Sequence, residues 1–463
     1  MPNPHLDYLL KLANLPAALA DNAEITGDDM LLPTPYNFVA PGAATMAAVG
    51  LAAAELWKLK TGRSQQVKID TYATAAAFRS TRYLRINSKK LEEDGSKLTG
   101  FYRLKDGRWI YLHCNFPNVR DGNLKALGAR FDKDSVAQAA AQREGLELEA
   151  AMFANGGCGG LVRSEAEWEG MPQQIAAEKM PLFEVVKIGE APPQPLPAGN
   201  RPLSGVRMLD LTRVLAGPAC AKAFAEHGAD VIRITRKDLP DLGPPSDVDT
   251  GIGKLQAHID MRDPADAARM HALVKDCDVF LQGYRPGSLA ARGLSPEALA
   301  KARPGIIYTY LSAWGHEGPG ATKRGYDTVI QTFNGMAWRP DNEKPAFLPG
   351  SPHDYLAGYL LAFGTMVALY RRATVGGSWL VRTSLAGTGE WFRKLPRFAP
   401  EQYQNLPSEL PGDVLARMMT SHDSPWGEVT HLAPGVQLSE TPGRWARPAT
   451  PRGSQMAAWP ARA

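Results

Sequence analysis

The chain has 463 residues, 44% of them hydrophobic and 22% charged, with a net charge of +4. That length allows two or three domains and a sizeable core, and the composition is that of an ordinary folded protein. The small positive balance, with no long basic run, gives no footprint of a nucleic-acid binder, although it suits a phosphorylated small ligand.

The four cysteines (Cys114, Cys158, Cys220, Cys277) form no CxxC or Cys/His pattern. Neither a metal site nor a disulfide framework is expected, and a reducing cytoplasm is the expected setting. The first 22 residues lack a basic n-region and a long apolar stretch, so no export signal is expected.

Residues 1–35 read as a short helix and a Pro-rich turn. Residues 38–60 read as an Ala-rich helix ending in basic residues before Thr61-Gly62. Gln65 to Thr71 alternates like a strand, and Ala73 to Ile86 looks helical. Residues 100–117 read as a hairpin turning at Asp106-Gly107, the start of a smaller α+β region reaching about residue 185. The Gly-rich NGGCGG at 155–160 is expected to be a flexible turn. The Pro-rich stretch from 191 is the clearest linker in the chain.

Beyond the linker the pattern becomes strand–helix alternation. Strands are expected at 206–211, 229–234, 278–282 and 306–311, with helices at 217–227, 264–275 and 295–302. This rhythm predicts a Rossmann-like parallel sheet with helices on both faces, so the fold class is α/β with a smaller α+β domain. The expected organisation is 1–190, a linker at 191–204, a ligand-binding domain at 205–395 and an extended tail at 396–463. The tail is expected to hold a short helix near 410–420 and to lie along the surface or across a partner.

Pro349 to Arg372, PGSPHDYLAGYLLAFGTMVALYRR, organises the rest. Turn residues and a single Asp354 lead into an apolar run that closes on Arg371 and Arg372. The run is shorter than the roughly 18 residues of a membrane span, so a buried core helix is expected. Asp354 has two readings. It is an N-cap whose side chain accepts a backbone N–H, or it is a partly desolvated carboxylate available as a nucleophile. Helix, Gly376-Gly377, strand 379–384 and a following helix retrace the layout of 42–60, Gly62, 65–71 and 73–86. In this weak internal repeat the place of Asp354 falls on or near Pro41, so only the second copy can do carboxylate chemistry.

In open α/β sheets ligands bind at the carboxyl ends of the strands. The loop after the first strand, TRVLAGP (212–218), lacks GxGxxG, so nicotinamide binding is disfavoured. The other strand-end loops carry Arg236, Lys254 in a glycine turn, Gly283-Tyr284-Arg285 and Ser312-Ala313-Trp314-Gly315. Cations, glycines and aromatics along one edge suit a ligand with an adenine to stack and phosphates to neutralise.

Residues 206–234, 283–320 and 325–337 (VRMLDLTRVLAGPACAKAFAEHGADVIRI, GYRPGSLAARGLSPEALAKARPGIIYTYLSAWGHEGPG, GYDTVIQTFNGMA) resemble the class III CoA-transferases, the family of formyl-CoA transferase and carnitine CoA-transferase. The likeness is strong over 205–390 and weaker over 40–190, as in a fused or rearranged variant. It implies that Asp354 is the catalytic nucleophile and that coenzyme A or acyl-CoA is a substrate, with no permanently bound cofactor. It implies CoA contacts at Val214, Leu215 and Ala216, at Arg236, at Lys254, at Gly283 and Tyr284, and at Arg292. Gly283-Tyr284 stands where the family has Asn-Phe, the asparagines usually beside Lys254 are missing, and Arg292 is displaced by one position. A sister branch racemises 2-methylacyl-CoA with a His–Asp pair. Here Tyr326-Asp327 occupies that segment, and a tyrosine is a poor base near neutral pH, so racemase chemistry is disfavoured. A non-catalytic CoA-binding relative, with Asp354 only a cap, is the other alternative. His353 is an orienting residue or a bystander. The expected partners are an acyl-CoA and a small carboxylic acid, with no nucleic acid or membrane. An interlocked homodimer is implied, and a monomer in which one chain supplies both halves is also open.

Overall fold

The structure is a computed structural model, which describes residues 3–91, 97–240 and 243–462. The alternation after the linker builds a seven-stranded sheet. Its strand order across the sheet is Leu255–His258, Asp230–Thr235, Arg207–Leu211, Val279–Gln282, Ile307–Ser312, Ser378–Ser384 and Phe183–Gly189. The first six are parallel, and the last runs antiparallel to Ser378–Ser384. The sheet is therefore mixed rather than wholly parallel.

Two of its strands escape a reading of periodicity. Phe183–Gly189 alternates only in part and is an edge strand, so its signal is weak. Leu255–His258 is four residues long and follows a glycine turn that reads as a loop. The chain fills one half of the sheet outward from Arg207–Leu211, then returns to Val279–Gln282 beside it and fills the other half. The switch point lies between Leu211 and Gln282, and there the adjoining loops part to leave a crevice.

The helix Pro352–Val375 lies in the core and has no polar face: Leu356, Leu360, Leu361, Phe363, Met366 and Leu369 are all sealed from solvent. Small residues let its neighbours close in. A Cβ on Gly358 would lie 2.5 Å from the carbonyl oxygen of Ala216, so the start of the helix Ala216–Glu226 rests against backbone. At its far end Arg372 donates to Asp278 at 2.8 Å, while Arg371 donates to the carbonyl of Ala13 at 2.8 Å. The helix stops at Gly376, where φ is +74°.

The same layout recurs as Val39–Thr61, Gly62, Val67–Asp70 and Thr71–Ala77. The helix Val39–Thr61 is long and apolar enough to cross a membrane, yet 94% of its apolar stretch is buried against this chain. It packs on Pro352–Val375, and Pro41 and Asp354 are each the third residue of their helix. The strand of the first copy does not extend the large sheet. It pairs with Ala23–Thr26, which lies inside the stretch read as a turn, and with Gln437–Leu438 from the tail.

The smaller region is a sheet of Gly100–Arg103, Trp109–Leu112 and Gly159–Leu161 with helices around it. Its Gly-rich segment is no flexible turn: a Cβ at Gly159 would sit 2.1 Å from the carbonyl oxygen of Tyr111. Nor is the tail merely extended. It forms the helix Gly412–Arg417 and the hairpin Met419–Ser424 and Gly427–Leu432, then runs over its own chain. There Arg447 donates to Asp230 at 2.7 Å and Trp459 to the carbonyl of Leu273 at 3.0 Å.

Candidate active site

The first turn of Pro352–Val375 is built unusually. Its N-cap, Ser351, makes no side-chain cap bond, and proline occupies the first helical position. The free N–H groups of His353 and Asp354 instead donate to Oδ2 of Asp327, at 2.8 and 3.1 Å. Oδ1 of Asp327 accepts from Gln331, whose own Oε1 accepts the N–H of Leu348 at 2.8 Å. Asp327 is thus the cap, supplied from the neighbouring helix Asp327–Phe333. Asp354 is relieved of that duty, and the backbone partner of its own carboxyl is Leu215 of the neighbouring helix start rather than its own turn.

Asp354 is 8% exposed, buried but not sealed. Burial, and then the Asp327 carboxylate beside it, push its carboxyl well above the ordinary carboxylate range; the backbone N–H of Leu215 pulls the other way. Leu215 is the N-cap of Ala216–Glu226, so its amide reaches Asp354 through the close approach that Gly358 permits.

Two cavities meet at this carboxyl. The smaller, about 390 Å³, lies over the switch point of the sheet and is lined by Thr212, Val214, Gly283, Tyr284 and Ser312. Arg213, Arg285, Lys323 and Arg324 also line it, making it strongly cationic. The larger, about 780 Å³, is walled near Asp354 by Phe78, Tyr111, His113, Leu215, Thr328 and Phe347. Phe116, Val214, Tyr326 and Asp354 belong to both.

The smaller sheet delivers His113, which stacks on Tyr326 with ring centroids 4.0 Å apart. Burial takes His113 down to about 3, so it is a neutral imidazole. Burial also raises the Tyr326 phenol above its usual range, making it a still poorer base. A third cavity, about 520 Å³, lies on the far side of Tyr355 and does not include Asp354. Among the described residues no group of three or more His, Cys, Asp or Glu is placed to hold a metal ion.

The residues singled out from sequence divide clearly. Val214, Leu215, Gly283 and Tyr284 line the cavities at Asp354. Ala216 lies just behind them, its carbonyl against Gly358. Lys254 is elsewhere: its side chain is 0% exposed and donates to Asp210 at 2.9 Å and to the carbonyl of Pro218 at 2.8 Å. Burial lowers its pKa to about 8, and no phosphate can reach it without dismantling that pair. Arg236 pairs with Asp238 and lies close enough to Tyr284 to act on its phenol, and Arg292 reaches the carbonyl of Met261 at 3.3 Å. His353 is fully buried, with Nε2 3.3 Å from the Asn334 amide and its ring edge-on to Phe392, so it turns away from both cavities.

Sequence reasoning missed Arg213, Lys323 and Arg324 as cavity cations, and His113 and Phe116 as walls. Arg285 was visible in its tight turn without being assigned a role. The signal for Arg213 was its place directly after the first strand; for His113 and Phe116 there was none, because a separate sheet brings them in.

Residues 20–176 and 203–396 match the CoA-transferase family III model. The chain belongs to this family. Among the curated family members it resembles is an acyl-CoA transferase of Gibberella moniliformis, 30% identical over 314 residues, which are 62% of this chain and 55% of that protein. Another is the succinyl-CoA:glutarate CoA-transferase of Homo sapiens, 34% identical over 181 residues, 36% of this chain and 41% of the other. The chain thus spans about half the length of the curated relatives it matches. Among solved structures, a CAIB/BAIF family protein from Brucella suis is 28% identical over 42% of this chain and 55% of that one, with a TM-score of 0.40.

Proposed function

We propose that this family III member transfers coenzyme A between an acyl-CoA thioester and a free carboxylic acid, with Asp354 as the covalent nucleophile. The observation that carries this reading is a carboxyl freed from capping its own helix and held by the Leu215 amide where two cavities meet. The cationic cavity over the sheet suits the phosphates of coenzyme A, and the aromatic one suits the acyl group.

In the first step the Asp354 carboxylate attacks the thioester carbonyl, the C–S bond breaks, and CoA thiolate leaves behind a mixed anhydride. The thiolate then attacks the aspartyl carbon and expels the donor acid, which gives an aspartyl-CoA thioester. An acceptor carboxylate reverses the sequence: it displaces the thiolate to form a new anhydride, and the thiolate attacks the acceptor's acyl carbon and frees Asp354. Covalent catalysis divides one difficult exchange into such easier steps. The Leu215 amide, at the positive end of its helix, suits stabilisation of the oxyanions that form.

The test is CoA exchange, followed by mass spectrometry, with mixed carboxylic acids. Asp354→Ala and Asp354→Asn should each lose exchange by at least about 10³-fold, and hydroxylamine with acyl-CoA should modify Asp354 in the wild type. Substantial exchange in both variants would remove the proposal.

A further inference from the structure

The third cavity, about 520 Å³, has no part in the chemistry of Asp354. The strands Ala23–Thr26 and Val67–Asp70 run parallel, and their last residues, Thr26 and Asp70, both line it. Val67–Asp70 leads straight into the helix Thr71–Ala77, so the cavity stands where ligands enter parallel α/β sheets, at the carboxyl ends of the strands. Ala219, Ala223 and Glu226 of the helix Ala216–Glu226 form one wall, and Tyr355 and Tyr359 of the core helix form another. Met418, Leu432 and Pro434 of the tail close it. Its volume is that of a small-molecule pocket, roughly 300–1,000 Å³.

The charges of this cavity are balanced from within. Lys222 donates to Asp249 at 2.9 Å and lies 4.8 Å from the centre of the Trp445 ring. Asp249 also accepts from Ser80 at 2.6 Å, and the Ser80 hydroxyl is 2.8 Å from that of Tyr355. Lys68 pairs with Glu24 at 2.8 Å, Arg417 pairs with Asp413 at 3.2 Å, and Asp70 caps Thr71–Ala77. Burial pushes the Glu226 carboxyl up to about 8, so it is mostly uncharged at neutral pH.

The groups left over are uncharged donors. Tyr72 and Tyr359 line the cavity, are only partly buried, and make no side-chain hydrogen bond among the described residues. Burial, and then Glu226 and Asp249, raise the Tyr359 phenol above its usual range, so it keeps its proton. Alanine and aliphatic walls with idle phenol donors suit a molecule that brings an acceptor oxygen and no charge. An ion would lose its hydration there and find every opposite charge already paired.

We propose that this cavity is a second ligand site, independent of Asp354, which takes an uncharged amphiphile whose carbonyl oxygen accepts from Tyr359, the chemistry of a medium-chain amide or ester. The site is shared between the first half of the chain, the helix Ala216–Glu226, the core helix and the tail.

The experiment compares octanamide, octanoate and octylamine by calorimetry on the full chain at pH 7. Octanamide should bind at least about tenfold more tightly than either ion. Tyr359→Phe keeps the ring stacked on Phe78, 6.3 Å between centres, and should weaken octanamide about three- to tenfold, the value of one neutral hydrogen bond. Thermal unfolding of that variant should match wild type, because the hydroxyl has no partner in the chain to lose. Ala73→Phe, which pushes a ring into the cavity, should abolish binding. Asp354→Ala should bind octanamide as the wild type does.

Octanamide that fails to bind or binds no more tightly than the ions, or an affinity unmoved by Tyr359→Phe, would overturn the assignment. So would loss of binding in Asp354→Ala, which would put the amide in the larger cavity. The transferase reading stands or falls on CoA exchange, and neither result depends on the other.

Discussion

Replacing Asp354 by asparagine should make the protein more stable at neutral pH while abolishing the proposed exchange. The wild-type carboxyl is held above its ordinary range by burial and by Asp327. In the unfolded chain it titrates near pH 4. Below that pH it is protonated in both states and exacts no pH-dependent penalty. As pH rises past about 4 the unfolded chain releases the proton and the folded one retains it, so folding stability falls by about 1.4 kcal/mol per pH unit until the folded group also ionises. Asparagine carries no such term. The stability difference, variant minus wild type, should therefore be flat below about pH 4, rise with that slope, and level off above the folded pKa. Urea unfolding at intervals from pH 4 to pH 8 measures the curve directly. A variant less stable than wild type at pH 7.5, with a pH-independent difference, would mean that Asp354 is a structural group, and the reasoning would fail.

Asp327→Asn removes the neighbouring negative charge but keeps an oxygen that can accept the two helix amides. The acid limb of kcat/KM should move to lower pH, and an unmoved limb would show that Asp327 does not set the titration of Asp354. Lys254→Met strands the buried Asp210 and should cost about 3–5 kcal/mol in urea unfolding, much of it regained in the double variant with Asp210→Leu. Equal losses in the single and double variants would mean that an unpaired buried Asp210 is not what destabilises the single variant. Gly358→Ala drives a methyl into the Ala216 carbonyl and should cost about 1–3 kcal/mol. It should also lower kcat more than it raises KM for the thioester, because it displaces the Leu215 amide; unchanged kcat would separate that amide from catalysis.

The parts of the fold that could be read from sequence are those whose signal is local. The apolar run before Arg371 can only be a core helix, and the turns at Gly62, Gly107 and Gly376 bear the residue their positive φ requires. The repeat was legible in its order of elements, and its one chemical difference, Pro41 against Asp354, falls at the same helical position. The site was legible where one loop follows one strand, as at Val214 and Tyr284. It failed at Lys254, because a lysine in a glycine turn looks solvated, and only the tertiary structure reveals Asp210 beneath it. Short edge strands such as Leu255–His258 failed for a related reason: four residues carry too little periodicity, and their pairing is decided by the neighbouring strand.

Why Asp354 reads as a cap in isolation and is proposed as the nucleophile in context comes down to a division of labour between two carboxylates. A first-turn aspartate normally serves the amides beneath it, and that bond would both lower its pKa and fix its oxygens. Asp327 takes those amides from outside the helix and is itself fully engaged by Gln331. The repulsion it exerts on Asp354 is the cost of that arrangement, and with burial it makes the Asp354 carboxylate, once ionised, more basic. In the first copy the corresponding residue is Pro41, which carries no carboxylate. That half instead contributes Phe78 and Arg79 to the wall of the larger cavity. Both similar halves of the chain therefore wall one cavity, the second with Asp354 and the first with Phe78 and Arg79.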